Sequence, residues 1–384
     1  MRKILLGNII LRDSIIEHGY VEIEGDKIVS VGEGEEYKGK NAEIFDFSNL
    51  YISPGFIDVH IHGSFGRDVI DGKSESLEII SQFIAKHGVI GFLPTIVTAP
   101  LKDMRKSIEN IENFIGRKNF NGAKILGIHL EGPFLNAKYK GAQREDCILP
   151  PKIEYLEKLI SENLKLMTLA PEIEGSFDII RYLSKRNIKV SAGHTDATAD
   201  IIENAINLGL SHVTHLFNGM RPLHHRDPGI IGVALINDQL SVEIIADGYH
   251  LADHILTLVT KVKPKEKVIL ITDAMEAAGL PDGDYELSKQ KVIVKNGKAT
   301  LENGTLAGSS LTLNRAVKNM VERAKLDIKD AVFMASYSPA KFLGLENKGS
   351  IEVGKDADIT VFDKNFDVAF TMVEGTIVYR KSLK

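Results

Sequence analysis

Pro54-Gly-Phe-Ile-Asp-Val-His-Ile-His-Gly63 is the stretch whose reading decides the fold. Its apolar run, Phe56–Ile61, marks a change of texture. Upstream the chain alternates in short β-like segments; downstream, short apolar runs are followed by longer segments with helical spacing. The later runs are Phe92–Ile96, Lys124–Leu130, Lys165–Leu169, Ile188–Ser191, His212–His215, Ser241–Ile245 and Lys267–Thr272, making eight with the first. Segments such as Ser74–His87 and Thr198–Leu208 supply helices between them. Eight strand-then-helix units on one continuous stretch predict an α/β fold of the (β/α)₈ barrel type.

Working outward, Lys3–Leu11, Tyr20–Glu24, Lys27–Val31 and Glu43–Phe47 read as strands, with Gly25-Asp26 as a hairpin turn. The tail returns to strands at Ala357–Phe362, Val368–Val373 and Thr376–Tyr379. Neither end has enough strands for its own core. Residues 1–54 and 346–384 are therefore expected to join in one small β-sandwich beside a barrel spanning 55–345. The β-rich segment Tyr285–Leu301, with its Asn296-Gly297 turn, predicts a hairpin inserted at about 284–302, after the eighth strand.

The 384 residues carry 47 basic and 52 acidic side chains, a net charge of −5, which argues against general nucleic-acid binding. Hydrophobic residues at 43% and charged residues at 26% are ordinary globular values and argue against disorder. No apolar run approaches the ~20 residues of a membrane span. Met1–Leu11, interrupted by Gly7 and Asn8, reads as a strand rather than a secretory segment. The single cysteine, Cys147, excludes an internal disulfide and any multi-cysteine metal site. A cytoplasmic protein is expected.

Active sites of such barrels lie at the C-terminal ends of the strands. Reading only those ends gives His60 and His62 after the first strand, Glu131 after the third and His194 after the fifth. His215 follows the sixth, His250 lies beyond the seventh, and Asp273 follows the eighth. Imidazole and carboxylate are ligands that zinc or iron(II) prefer. Strand alternation puts His60 and His62 on one face, ready to chelate. For each the bland reading is a polar strand end; for Asp273 it is a helix N-cap. Arg226, in the loop Arg221-Pro-Leu-His-His-Arg-Asp-Pro-Gly229, has a solvated charge cluster as its alternative. His129, His212 and the other histidines read as structural or surface.

The stretch Pro54–Gly63 resembles the opening signature of the amidohydrolase superfamily. HLEGPF (His129–Phe134), SAGHTDA (Ser191–Ala197), THLFNGM (Thr214–Met220), DGYH (Asp247–His250), TDAM (Thr272–Met275) and LAGSSLT (Leu306–Thr312) narrow the resemblance to the N-acetylglucosamine-6-phosphate deacetylase family. That resemblance implies hydrolysis of N-acetyl-D-glucosamine 6-phosphate to D-glucosamine 6-phosphate and acetate, with one or two divalent metals, zinc or iron, per chain. Glu131, His194 and His215 would hold the main metal. His60 and His62 would add a second, bridged through Glu131. Asp273 would act as general base and then acid. The backbone of Asn218 and Gly219, with Arg226, Asp247 and His250, would hold the sugar phosphate. Ala142, Leu306, Ala307 and Gly308 would contact the sugar. Family members are dimers in which the arginine and the DGYH histidine reach a neighbouring subunit, so a homodimer is expected. One departure stands out: Gln143 occupies a position where some members have a histidine that polarises the carbonyl, which shifts that task onto metal.

Two other readings compete. One is a different metal-dependent amidohydrolase, dihydroorotase-like or isoaspartyl-dipeptidase-like; HLEGPF and the Asn218-Gly219/Arg226 set argue against it. The other is a non-catalytic barrel scaffold, which should have lost ligands or the aspartate; this chain has lost none.

Overall fold

The computed structural model describes residues 2–381 apart from 35, 36, 38–40, 116 and 118–120. The first and the last three positions of the expected terminal β-unit thus lie outside the described residues.

The eight expected runs form eight parallel strands arranged in chain order: Phe56–Ile61, Val89–Ile96, Ile128–Glu131, Leu164–Leu169, Lys189–Ala192, Leu210–Val213, Ser241–Ile245 and Val268–Ile271. The expected third run, Lys124–Leu130, is broken. Lys124–Ile125 pairs with the second strand, and the barrel strand resumes at Ile128. Gly127 sits between them at φ 152°, where an added Cβ would lie 2.2 Å from Lys165 Cγ, so the kink demands glycine. The ring closes between the eighth strand and the first. Asp273 N–H donates to the His60 carbonyl and His62 N–H to the Ala274 carbonyl, each at 2.9 Å. Below them the Thr272 hydroxyl donates to Asp58 Oδ2 at 2.6 Å.

Helices cover the outside with amphipathic faces; Leu101–Ile115 buries Met104, Ile108, Ile111 and Phe114 at helical spacing. The barrel interior is less apolar than the strand runs suggest. His129 bonds Thr168 Oγ1 at 2.8 Å, and Thr168 bonds Thr214 at 2.7 Å. Thr214 in turn bonds Ser191 at 2.6 Å. This hydroxyl chain forms a polar floor under the rim.

Both chain ends build one seven-stranded sheet. Its N-terminal strands are Arg2–Ile10, Ile15–Glu24, Lys27–Glu33 and Glu43–Pro54; its C-terminal strands are Ile359–Phe362, Val368–Val373 and Thr376–Arg380. The seam is the antiparallel pairing of Ile359–Phe362 with Tyr51–Pro54. Phe370 from the tail packs on Phe45 and Phe47 from the head, with ring centroids 5.7 and 5.3 Å apart. The expected inserted hairpin is instead a three-stranded meander, Gly283–Leu287, Gln290–Lys295 and Lys298–Leu301. Its additional turn is Ser288-Lys289, both at positive φ (50° and 65°), a conformation for which neither residue type is a signal. The meander buries Leu287, Val292 and Val294 against Met275 and Ala307, anchoring it to the rim.

A buried ionic knot holds the tail. Lys348 Nζ lies 3.0 Å from Asp356, 2.7 Å from Asp358 and 3.2 Å from Glu374. Burial works against its charge, but the three carboxylates hold the ammonium above its ordinary range. Replacing it with Lys348→Met would leave the buried Asp358 without a cation, since Asp356 keeps Lys27 and Glu374 keeps Lys124, a destabilisation of about 3–5 kcal/mol. Urea unfolding followed by circular dichroism should show the midpoint fall; an unchanged midpoint would mean that the carboxylates find other partners.

Candidate metal centre and pocket

The rim residues converge on Glu131. His194 Nε2 and His215 Nε2 lie 3.0 and 3.1 Å from Glu131 Oε1, and 3.2 Å from each other. His62 Nε2 lies 3.2 Å from Glu131 Oε2 and 3.2 Å from His60 Nε2. Asp273 Oδ1 is 3.4 Å from His60 Nε2 and 3.2 Å from His62 Nε2. All six side chains are buried. Among the described residues three groups have metal-competent spacing: Glu131–His194–His215 and His60–His62–Asp273 at the rim, and His60–His129–Glu243 beneath them.

The opposite ring nitrogens decide which protonation state faces inward. His62 Nδ1 donates to the Thr95 carbonyl at 3.1 Å, His194 Nδ1 to the Tyr139 carbonyl at 2.9 Å, and His215 Nδ1 to the Asn218 carbonyl at 3.0 Å. A carbonyl can only accept, so each Nδ1 carries a proton and Nε2 is the nitrogen left to give a lone pair to a cation. His60 Nδ1 faces the Glu243 carboxylate at 3.0 Å and follows the same logic. Lone pairs and carboxylates thus face one another across about 3 Å, an arrangement that a divalent cation satisfies.

Without a cation, protons take its place. Burial opposes a charge on His60, yet Glu243, Asp273 and Glu131 raise its pKa to about 9. His62 is raised well above its ordinary value against the same burial, through Asp273 and Glu131. Burial likewise opposes ionisation of Glu131, but His60, His194 and His215 hold its carboxyl well below the usual range. The centre is built to hold positive charge, and the donor set fits a borderline metal.

Local backbone serves this convergence. His194, His215 and Asp273 all lie two residues beyond their strands, and all adopt positive φ, at 49°, 31° and 48°. That region is disfavoured for side chains bearing a Cβ and costs of order 1–3 kcal/mol each. It lets the chain leave the barrel while the side chain turns toward the axis.

Above the centre lies a pocket of about 170 Å³. Of the sequence-predicted sugar and phosphate contacts, Ala142, Asn218, Gly219, His250, Leu306 and Gly308 line it. The others do not. Ala307 turns into the meander core. Asp247 stands behind His250, accepting from its Nδ1 at 2.7 Å, and so orients a pocket residue. Asn218 N–H donates to the His215 carbonyl at 2.9 Å, leaving Gly219 as the amide of that pair still offered to a ligand. At Gly219, φ 59°, an added Cβ would lie 3.0 Å from His194 Nδ1, so the site excludes a side chain there. Arg226 is exposed, bonded to His225 at 2.8 Å, and outside the pocket of its own chain.

Gln143 is tied at both ends. Its Oε1 accepts from Thr98 N–H at 2.9 Å, and its Nε2 donates to Glu131 Oε2. Sequence reasoning missed Leu287, which enters the pocket from the meander, Thr305 from the turn that follows it, and Glu243 beneath the pocket. Glu243 carried a signal: an acid inside the apolar strand Ser241–Ile245, on the inward-facing alternation.

Comparison with known proteins agrees with this geometry. The profile of the Amidohydrolase family matches residues 51–378. An N-acetylglucosamine-6-phosphate deacetylase of Bacillus subtilis is 38% identical, over 97% of this chain and 95% of its own. An N-acetylgalactosamine-6-phosphate deacetylase of Escherichia coli O157:H7 is 37% identical, over 85% and 87% respectively. The crystal structure of an N-acetylglucosamine-6-phosphate deacetylase from Thermotoga maritima superposes with a TM-score of 0.89 at 36% identity, covering 98% of this chain and 100% of that one.

The two ligand groups predict the loading. Protein refolded or dialysed with ample zinc should approach two metals per chain by elemental analysis, and the double variant His60→Ala/His62→Ala should fall to one. Equal loading of the two proteins would remove His60 and His62 from the centre.

Proposed function

The chain belongs to the amidohydrolase family, in its N-acetylglucosamine-6-phosphate deacetylase branch, and we propose on that basis that it hydrolyses N-acetyl-D-glucosamine 6-phosphate to D-glucosamine 6-phosphate and acetate. The observation that carries this reading is the convergence of four histidine Nε2 atoms on Glu131, with Asp273 beside them at the floor of a sugar-sized pocket.

Glu131, His194 and His215 are the residues for one cation; His60 and His62, with the second oxygen of Glu131, are those for another. A divalent cation held there supplies Lewis acidity to the amide carbonyl and to the attacking water. Asp273 is the group for the proton. Burial disfavours its charge, but His60 and His62 keep its carboxyl below the ordinary range, so it is ionised and able to accept. It takes a proton from the water as the C–O bond forms, then returns it to the sugar nitrogen as the C–N bond breaks. Without that return the leaving group would be an amide anion, a very poor one. Gln143, engaged at both ends, steadies Glu131 and is not offered to the carbonyl.

For the phosphate, the pocket offers His250, held by Asp247, and the Gly219 amide. Arg226 completes the set from a second copy of the chain. Supporting a homodimer, the segments after the sixth and seventh strands expose the apolar side chains of Leu223, Ile236, Tyr249, Leu258 and Val262, with Ile236 78% exposed. Among the described residues no helix is long and apolar enough to cross a membrane. A lone, buried Cys147 suits a reducing compartment such as the cytoplasm.

Two measurements test this reading. Asp273→Asn should bind the sugar phosphate and lose roughly 10²–10⁴-fold in kcat, because only the proton shuttle is removed. Near-normal turnover in that variant would assign the proton to another group. In acetate-release assays the wild type should strongly prefer the phosphorylated sugar, and Arg226→Ala should lose about ten- to a hundredfold in kcat/KM for it alone. An unchanged preference would place the phosphate elsewhere.

A further inference from the structure

Beneath the two ligand groups lies a carboxylate that belongs to neither pocket nor substrate. Glu243, in the middle of the seventh strand, is fully buried and does not line the cavity. Its Oε2 accepts from His60 Nδ1 at 3.0 Å and from His215 N–H at 3.1 Å; its Oε1 accepts from His212 Nε2 at 3.1 Å. A buried carboxylate is costly unless such donors surround it, and here they fill both oxygens.

The contrast with the other ligands shows what it does. His62, His194 and His215 each rest their outer nitrogen on a neutral backbone carbonyl. Of these four histidines His60 alone rests on a carboxylate. A charged acceptor fixes the tautomer more firmly than a carbonyl and makes the opposite nitrogen a better donor to metal. We propose that Glu243 is a positioning residue which, acting through His60, sets the affinity of the half-site built on His60 and His62 for its cation. The Glu131–His194–His215 half-site, whose rings are held by carbonyls, loads without it. The inference rests on the metal-dependent reading above.

The structure also supplies a clean substitution. His212 Nδ1 is buried without a hydrogen-bond partner among the described residues, so His212 can change tautomer and accept from an amide. Glu243→Gln then keeps the bonds to His60, His215 N–H and His212 while removing only the charge; Glu243→Ala removes both.

The test is zinc binding, measured by chelator competition and by elemental analysis after dialysis, on variants whose fold is checked by circular dichroism. Glu243→Gln should hold one zinc as tightly as the wild type and bind the second roughly 10–100-fold more weakly. Glu243→Ala should lose the second zinc on dialysis. Unchanged affinity for both zinc ions in a folded Glu243→Gln protein overturns the proposal. A second measurement needs no variant. Magnetic resonance of the zinc-loaded protein with isotope-labelled histidine should show His60 carrying its proton on Nδ1 and zinc on Nε2, and zinc on Nδ1 would also overturn it. A wild type that takes up only one zinc would count against the two-metal centre itself, and is distinguished by being seen before any substitution is made.

Discussion

The site depends on one seam, the closure of the barrel between its eighth strand and its first. Asp58 accepts from the Thr272 hydroxyl and, at 3.3 Å, from its N–H, while Asp273 N–H reaches the His60 carbonyl. These contacts fix the register of two strands that are more than two hundred residues apart in the chain. His60, His62 and Asp273 all project from that seam, so their mutual distances follow from closure and not from any local turn. Burial pushes the Asp58 carboxyl up to about 7, against the pull of the Thr272 hydroxyl and the backbone donors; the barrel keeps this unfavourable group where it pins both edges.

The polar floor follows from the same alternation that made the strands readable. In a closed barrel every second residue points inward, and a barrel with chemistry at its rim needs its inward residues to hold rings in place rather than only to fill volume. Thr95 shows the economy of this arrangement. Its carbonyl anchors His62, while its hydroxyl accepts from Ile61 N–H at 3.0 Å. His129, set aside in the sequence as structural, stands edge-on to His60 with ring centroids 4.7 Å apart and is tied to Thr168. It packs the His60 ring in place from the side.

Much of this was legible in the chain. The strands Phe56–Ile61 and Ser241–Ile245 fall on the expected residues because a buried parallel strand is an apolar run bounded by a polar rim. The convergence of His60, His62, Glu131, His194, His215 and Asp273 was readable because a barrel maps strand ends onto one ring. What escaped lay outside those rules. Ser288-Lys289 turns at positive φ without glycine or asparagine, so the meander looked like a hairpin. Gly127 broke a run that periodicity joined. Asp247 and Ala307 were named by motif, but whether a motif residue faces the cavity or its support is settled by rotamer and packing, which spacing does not encode. Arg226 lies exposed outside the pocket of its own chain, a placement that no motif encodes.

The left-handed backbone at His194, His215 and Asp273 sets folding and chemistry at odds. Glycine at any of these positions would relax the chain, and asparagine would tolerate it better than histidine or aspartate does. Selection for heat resistance alone, blind to turnover, would therefore drift toward substitutions that erase the centre one group at a time. The bound cation reverses that drift, since whatever binds only the folded state adds to its stability and offsets the strain it requires. An inactive, metal-free relative of this chain freed from that demand should carry glycine or asparagine at these three corners first, before its barrel core changes at all.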